Sequence, residues 1–384
     1  MIVEQLSLVD FRNYERAELA LAPGANLLVG RNGQGKTNLV EAITYLATLD
    51  SHRVSADAPL VRSGADAAIV RTRLAHGERR VILEIQINNQ GSNKARVGGA
   101  PVRSAELPRY AHVVLFAPED LQIVRGDPSA RRRFADQLLV QRAPRMSGVL
   151  GDYDRVLRQR TALLKSARAR GLRAEALPTL DVWDDKLISL GTEIIEARAR
   201  LARELHPPLV DAYAAIAGAD HSPEIEWATS IAGSDPEEDA DAGSTITGGD
   251  TAEAFRTALT AKRSAEIERG VTLVGPHRDD LLLRIRSLPV KGYASHGESW
   301  SVALALRLAS AQLLRAESTL GDPIVILDDV FAELDADRRM RLGTLVSDFQ
   351  QVIVTAAVEA DVPDGLRGRT VRIDAGRISE VDDD

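Results

Sequence analysis

An apolar run, Leu27-Leu28-Val29, delivers the chain into Gly30-Arg31-Asn32-Gly33-Gln34-Gly35-Lys36-Thr37-Asn38, and a helix-forming stretch over Lys36–Leu49 follows at once. The segment fits GxxxxGK[ST] at every fixed position. Phosphate chemistry dictates this order. A strand brings the backbone to a buried edge, and glycines allow the φ values that turn successive N–H groups inward around phosphate oxygens. The helix that starts at Lys36 adds its positive N-terminal end. Lys36 supplies a point charge to the β- and γ-phosphates, and the Thr37 hydroxyl is set to ligate Mg²⁺. A strand, loop and helix so joined point to an α/β fold on a parallel sheet, with Gly30 through Asn38 read as an ATP site.

The second half of such a site stands far away in the chain. Ile324-Val325-Ile326-Leu327 is a continuous apolar run ending in Asp328-Asp329, as expected of a strand covered on both faces. Sites of parallel sheets lie at the carboxyl ends of their strands. Asp328 is therefore read as a holder of Mg²⁺, directly or through water, and Asp329 as the group that polarises an attacking water. Taken alone, these acids could equally cap the next helix; beside a complete phosphate loop the catalytic reading prevails. Asp328 follows Lys36 by 292 positions (328 less 36), which demands a large module between the halves of the site.

The intervening sequence has that module's texture. Up to about residue 125 it reads as strands over Ile2–Val9, Ala25–Val29, Ile69–Leu74, Val81–Ile87, Lys94–Val97 and Val113–Phe116, with turns at Asn88–Gly91 and Gly98-Gly99. From Pro128 to about Ala217 the apolar residues recur at three- and four-residue steps, predicting two or three long helices. Pro178 and the Pro207-Pro208 pair mark helix ends. Gly233–Glu253 carries seven acids and no Lys or Arg, the composition of a solvated loop. A helix to Arg269, strands at Val271–Val274 and Leu281–Ile285, a polar turn Tyr293–Ser299, a helix Trp300–Arg315 and a strand Gln351–Thr355 complete the pattern.

Composition excludes several classes. The chain has no cysteine, which removes disulfides, thiolate metal sites and cysteine nucleophiles. No secretory pattern opens it and no run of about 18 apolar residues occurs, so a cytoplasmic protein with no membrane span is expected. Its net charge of −8 argues against blanket polyanion binding, yet Arg142–Arg173 holds nine basic residues against two acids. That net +7, with too few acids at hand for pairing, predicts a sequence-independent DNA contact, assigned to Arg155, Arg158, Arg160, Lys165 and Arg168. Few aromatics lie among them, which favours duplex or duplex/single-strand junction backbone over stacked single strands. Arg131–Arg133 start a helix and are read as packing or nucleotide-sensing groups. His52 and His277 lack a second ligand at metal spacing, so both are read as structural hydrogen-bonding residues.

Several separated segments together resemble the RecF recombination mediators, bacterial ATP-binding-cassette ATPases akin to SMC and Rad50 heads. They are Phe11–Tyr14, Gly30–Asn38, Ser51–Arg53, Pro118–Leu121 with Arg131–Arg133, Gly275–Asp280, Ser295–Glu298 and Leu327–Asp335. The resemblance implies an ATPase head of two lobes: lobe I from residues 1–125 and 290–384, and a mainly helical lobe II over 126–289. It implies that Ser295, Gly297 and Glu298, in the signature segment Ser295-His296-Gly297-Glu298, complete the ATP site of an opposite subunit, and that Glu333-Leu334-Asp335 is the D-loop between two such sites. By its own chemistry the Ser295 segment reads as a helix cap.

An ATP-dependent homodimer on DNA, slow DNA-stimulated hydrolysis and release follow from the same resemblance. So does a role at single-strand gaps with RecO and RecR, loading RecA in repair and the SOS response. The family's switch position falls on Thr355, consistent with slow turnover. Its lobe-connecting Gln has no obvious counterpart at Phe116–Glu119, and the acidic segment 233–253 matches nothing in the pattern. Two other readings are weaker. A small-molecule phosphotransferase would not need 292 intervening residues, and a chromosome-organising head would need longer coiled-coil arms than this helical region provides.

Overall fold

The computed structural model describes residues 1–172, 178–232, 250–319 and 321–380. The chain divides into two compact units: Met1–Leu121, Pro208–Asp220 and Ser295–Asp384 form one, and Gln122–Pro207 with His221–Ala294 the other.

The first unit is built on two sheets. An antiparallel sheet runs in the order β2-β1-β4-β5-β6-β7, from β1 (Ile2–Phe11), β2 (Tyr14–Ala20), β4 (Ala67–His76), β5 (Arg79–Asn88), β6 (Lys94–Val97) and β7 (Ala100–Val102). Its strands alternate buried and exposed residues, as in Tyr14–Ala20, because only one face meets the core. A second sheet, β15-β14-β3-β13-β12-β8, joins β3 (Gly24–Val29), β8 (Val113–Phe116), β12 (Ile324–Asp328), β13 (Gln351–Ala356), β14 (Arg369–Asp374) and β15 (Arg377–Glu380). All its pairings are parallel except β14 with β15. Every residue of β12 and β13 is buried, the mark of a sheet covered on both faces. The helix α1 (Lys36–Thr48) packs into a single core that draws Leu6, Val70 and Ile85 from the first sheet and Leu28, Ile326 and Ile353 from the second. Two further helices, α8 (His296–Glu317) and α9 (Ala336–Val346), belong to this unit.

The second unit is helical around a small sheet. It holds α3 (Pro128–Arg142), α4 (Met146–Ala169), most of α5 (Pro178–Ala217), α6 (Thr251–Arg269) and the single turn α7 (Val290–Tyr293), with α2 (Leu121–Arg125) entering it. The sheet runs β11-β10-β9, from β9 (Glu224–Ala228), β10 (Asp280–Ile285) and β11 (Leu288–Pro289).

Several sequence expectations are corrected. Pro207-Pro208 does not end a helix: α5 continues through both prolines. Each interior proline costs about 3 kcal/mol. Leu201, Leu205, Leu209, Tyr213 and Ile216, buried on either side, offset that at about 1.5–3 kcal/mol each. Val271–Val274 is not a strand; it is a turn held by Glu266, whose carboxylate accepts from Leu273 N–H. The helix α8 starts at His296, not Trp300. Residues 233–249 of the acidic segment lie outside the described residues, whereas Asp250 caps α6 through Ala252 N–H.

Candidate functional site

Sheet register brings the site together. In the parallel ladder Asp328 lies beside Thr355, Thr355 beside Leu28, and Ala356 beside Val29. The ends of β12, β13 and β3 therefore share one carboxyl edge, from which Gly30–Gly35 leads into α1. Gly30 has no room for a side chain, since a Cβ would sit 2.1 Å from the Ile373 carbonyl oxygen. Gly35, at φ 112°, passes under Tyr14 Oη and Asn13 Nδ2. The loop is braced from outside as well: Gln34 O accepts from Gly376 N–H at 3.2 Å, and Ala375 N–H donates to Gln34 Oε1. Asn13 accepts from Asn38 at 2.7 Å.

Lys36 and the two acids meet at this edge. The Lys36 ammonium is 3% exposed, donates to Gly30 O at 2.8 Å and Arg31 O at 3.3 Å, and lies 4.0 Å from Asp329 Oδ1. Asp328 Oδ1 accepts from Thr37 at 3.2 Å and from Thr355 at 2.6 Å. The Thr355 hydroxyl also accepts from Asp329 N–H at 3.0 Å, and so ties both acids to the neighbouring strand. Asp329 adopts φ 50°, a conformation unusual for a non-glycine residue and typical of strained functional turns. Burial pushes the Asp328 carboxyl up to about 7, against the Thr355 hydrogen bond and with the help of Asp329. A divalent cation would reverse that shift.

His52 departs from its sequence reading as a hydrogen-bonding residue. Among the described residues neither of its buried ring nitrogens has a hydrogen-bond partner, and Nε2 lies 3.8 Å from Asp328 Oδ2. Burial holds its pKa below the usual histidine range. Hydroxyl and carboxylate oxygens facing an orphaned imidazole suit a hydrated, oxygen-seeking ion such as Mg²⁺. Among the described residues no three His, Cys, Asp or Glu side chains are grouped to hold a metal, so phosphate oxygens and water would have to complete its shell.

Glu41 went unnoticed in the sequence. It is fully buried on α1 and gathers two motif segments, taking two hydrogen bonds from Arg12 at 2.6 and 2.8 Å and one from Ser51 at 2.5 Å. Burial pushes its carboxyl up, but these hydrogen bonds win and hold it below the usual range. Arg53, 3.6 Å from Glu41, donates to Asn38 Oδ1 at 2.8 Å. An acid inside Leu39-Val40-Glu41-Ala42-Ile43 is the signal that could have revealed it.

Ser295, Gly297 and Glu298 form a different cluster. Ser295 caps α8 by accepting from Glu298 N–H, and Glu298 accepts from Ser295 N–H at 2.9 Å, a reciprocal capping box. At Phe116–Glu119, Ala117 N–H donates to Asp120, whose carboxylate takes two hydrogen bonds from Arg307.

The DNA-facing assignment needs revision at Arg160. That side chain is wholly buried, donating to Asp184 at 2.7 Å, Glu266 at 2.6 Å and Thr272 at 3.0 Å. Acids scarce within Arg142–Arg173 arrive from α5 and α6: Arg142 pairs with Glu204 and Arg145 with Glu193. Arg155, Arg158, Lys165 and Arg168 remain exposed, with Arg155 and Arg158 paired to Asp152 and Asp154. Arg173 lies outside the described residues. Arg131 and Arg132 are packing groups, bound to the Asp280 carboxylate and the Asp279 carbonyl.

Known proteins resemble this chain over nearly its whole length. The family model described as RecF/RecN/SMC N terminal domain matches residues 2–373. A DNA replication and repair protein RecF of Clavibacter sepedonicus is 57% identical, over 99% of this chain and 95% of its own. A solved structure of the recombination mediator protein RecF-ATPrS in the RecFOR pathway is similar with a TM-score of 0.86 at 27% identity, covering 99% of this chain and 98% of that one. An Smc head domain from Pyrococcus furiosus is similar with a TM-score of 0.53 at 15% identity, over 99% of this chain and 95% of that one, a likeness of fold alone. No helix among the described residues is long and apolar enough to cross a membrane.

Proposed function

The chain belongs to the RecF family of SMC-type ATP-binding-cassette ATPases, and from that premise we propose that it is a clamp which ATP closes on DNA. The observation that carries the reading is the split between two clusters. Lys36 and Thr37 of the phosphate loop meet Asp328, Asp329 and Thr355 at one strand edge, whereas Ser295, Gly297 and Glu298 form the capped start of α8 in the same unit, joined to that edge by none of the hydrogen bonds given above. Such halves complete each other when two copies pair head to tail.

In this scheme Gly30–Asn38 holds the ATP phosphates. Thr37 and Asp328 hold Mg²⁺, which would neutralise the charge developing on the phosphates. Asp329 orients and polarises the attacking water, and Thr355 fixes its backbone. Ser295, Gly297 and Glu298 of one copy meet the γ-phosphate bound by the other. Hydrolysis is slow and DNA-stimulated, and it opens the clamp. Duplex or junction DNA is the substrate surface, and the pathway role is at single-strand gaps with RecO and RecR, leading to RecA loading, recombinational repair, replication restart and SOS induction in the cytoplasm.

Molecular mass by light scattering and DNA affinity, each with ATP, ADP and no nucleotide, test the proposal. ATP should convert the wild-type chain to a dimer and raise its DNA affinity, and Lys36→Met should show neither change. Asp329→Asn should keep the dimer while turnover drops by about 10²-fold or more, the usual contribution of a general base. Wild-type mass and affinity indifferent to ATP would sink the clamp.

A further inference from the structure

Two segments assigned above to the partner-facing surface are joined within one protomer by a single side chain. Arg338, in the first turn of α9, is one-quarter exposed. Its Nε donates to Ser301 Oγ at 3.0 Å, and Ser301, fully buried in α8, donates in turn to the Gly297 carbonyl at 3.0 Å. Its Nη1 pairs with the Asp335 carboxylate, which also caps α9 by accepting from Arg338 N–H at 2.9 Å. The guanidinium lies directly over Gly297, where a Cβ would stand 3.1–3.2 Å from Cζ and both terminal nitrogens. Next to it Arg339 donates to the Leu334 carbonyl at 3.2 Å and to Asp361 at 3.0 Å.

We propose that Arg338 is the positioning residue that locks the Ser295–Glu298 turn to the Glu333–Asp335 turn, so that the two surfaces one protomer presents to its partner form a single rigid element. The inference rests on the dimer reading and deepens it. Three features support it. The planar fork reaches both turns at once, which a lysine ammonium cannot do with the same geometry. Gly297 leaves the space that the fork fills. The positive guanidinium beside the start of α8 also reinforces the positive end of that helix, where an anion would approach. A displacement of Asp335 at the interface would be carried through Arg338 and Ser301 to the Gly297 carbonyl, and the converse holds.

The phosphate loop lies outside this chain of contacts, which separates the inference from a general loss of structure. The test compares wild type, Arg338→Ala and Arg338→Lys in two measurements, binding of ATPγS to the monomer at low protein concentration and the ATPγS-driven monomer–dimer equilibrium by sedimentation. Monomer affinity for ATPγS should stay within about twofold, while the dimer dissociation constant rises by at least tenfold in Arg338→Ala, with Arg338→Lys recovering only part of the loss. Dimerisation equal to wild type in both variants would overturn the role. A matching loss of ATPγS binding would also overturn it, marking Arg338 as a general structural residue. A wild-type chain that stays monomeric in ATPγS would instead remove the dimer reading, and Arg338's role with it.

Discussion

Asp279 shows how a motif residue can be fixed by its surroundings. It is buried in the second unit, with Oδ1 accepting from Ser230 N–H at 2.8 Å and from the Ser230 hydroxyl at 2.9 Å. Its neighbour His277 bonds Tyr153 Oη at 2.8 Å and the Thr272 carbonyl at 3.2 Å, and burial lowers its pKa to about 3, so it is a neutral structural imidazole as its sequence context suggested. Burial pushes the Asp279 carboxyl up to about 6, against the hydrogen bonds from Ser230. The folded chain then holds this proton more tightly than the unfolded one. The resulting stability is present below about pH 4 and is lost as pH rises through 6. Asp279→Asn keeps the acceptor and abolishes the titration. In urea unfolding, the stability of the variant relative to wild type should rise by about 1–2 kcal/mol between pH 5 and pH 8. A difference independent of pH would show that Asp279 is ionised throughout.

Helix α4 carries the same lesson at the level of an element. Its apolar positions Tyr153, Val156 and Leu164 fall on the buried face, and Arg160 falls there with them. Once α5 and α6 close over it, Arg160 becomes the shared partner of Asp184 and Glu266. Removing it would strand Glu266, which is fully buried, and a broken buried ion pair typically costs about 3–5 kcal/mol. Arg160→Met should lower stability by that amount, whereas Arg158→Met, at an exposed pair, should cost less than about 1 kcal/mol. Chemical denaturation of the two variants decides the point. The phosphate loop, the acidic strand end and the helices could be read from sequence because each is a local pattern of spacing or period. The partners of Arg160 could not, since they lie 24 and 106 positions away. The continuity of α5 through Pro207-Pro208 was hidden for a related reason: proline signals a break locally, and packing of Leu205, Leu209 and Tyr213 overrides it. Strands β2, β14 and β15 also escaped notice, being short polar segments whose pairing partners supply the pattern.

At the scale of the whole molecule the proposed DNA contact has to be reconciled with a net charge of −8. Burial of Arg160, and the pairing of Arg142 and Arg145 with acids from α5, leave Arg155, Arg158, Lys165 and Arg168 as the exposed cations of α4 among those first assigned. The basic surface is thus smaller than the sequence count of nine suggests. Each phosphate neutralised contributes about 0.9 to the slope of log affinity against log salt. Four contacts would give about 3.6, but Asp152 and Asp154 already hold Arg155 and Arg158 and must be displaced. Changing all four residues to Ala should therefore reduce the slope by about 2–3 and weaken binding alike on duplexes of different sequence. Arg155 and Arg158 are held only by surface ion pairs, and Arg168 by one exposed hydrogen bond to the Arg269 carbonyl at 3.1 Å, so thermal stability should change little. Titrations of wild type and the fourfold variant with ATP over a range of salt concentrations measure the slope directly. An unchanged slope would move the DNA contact off α4, to another basic surface such as the Arg71, Arg73 and Arg96 face of the antiparallel sheet, where Glu4 and Glu84 already compete for those cations.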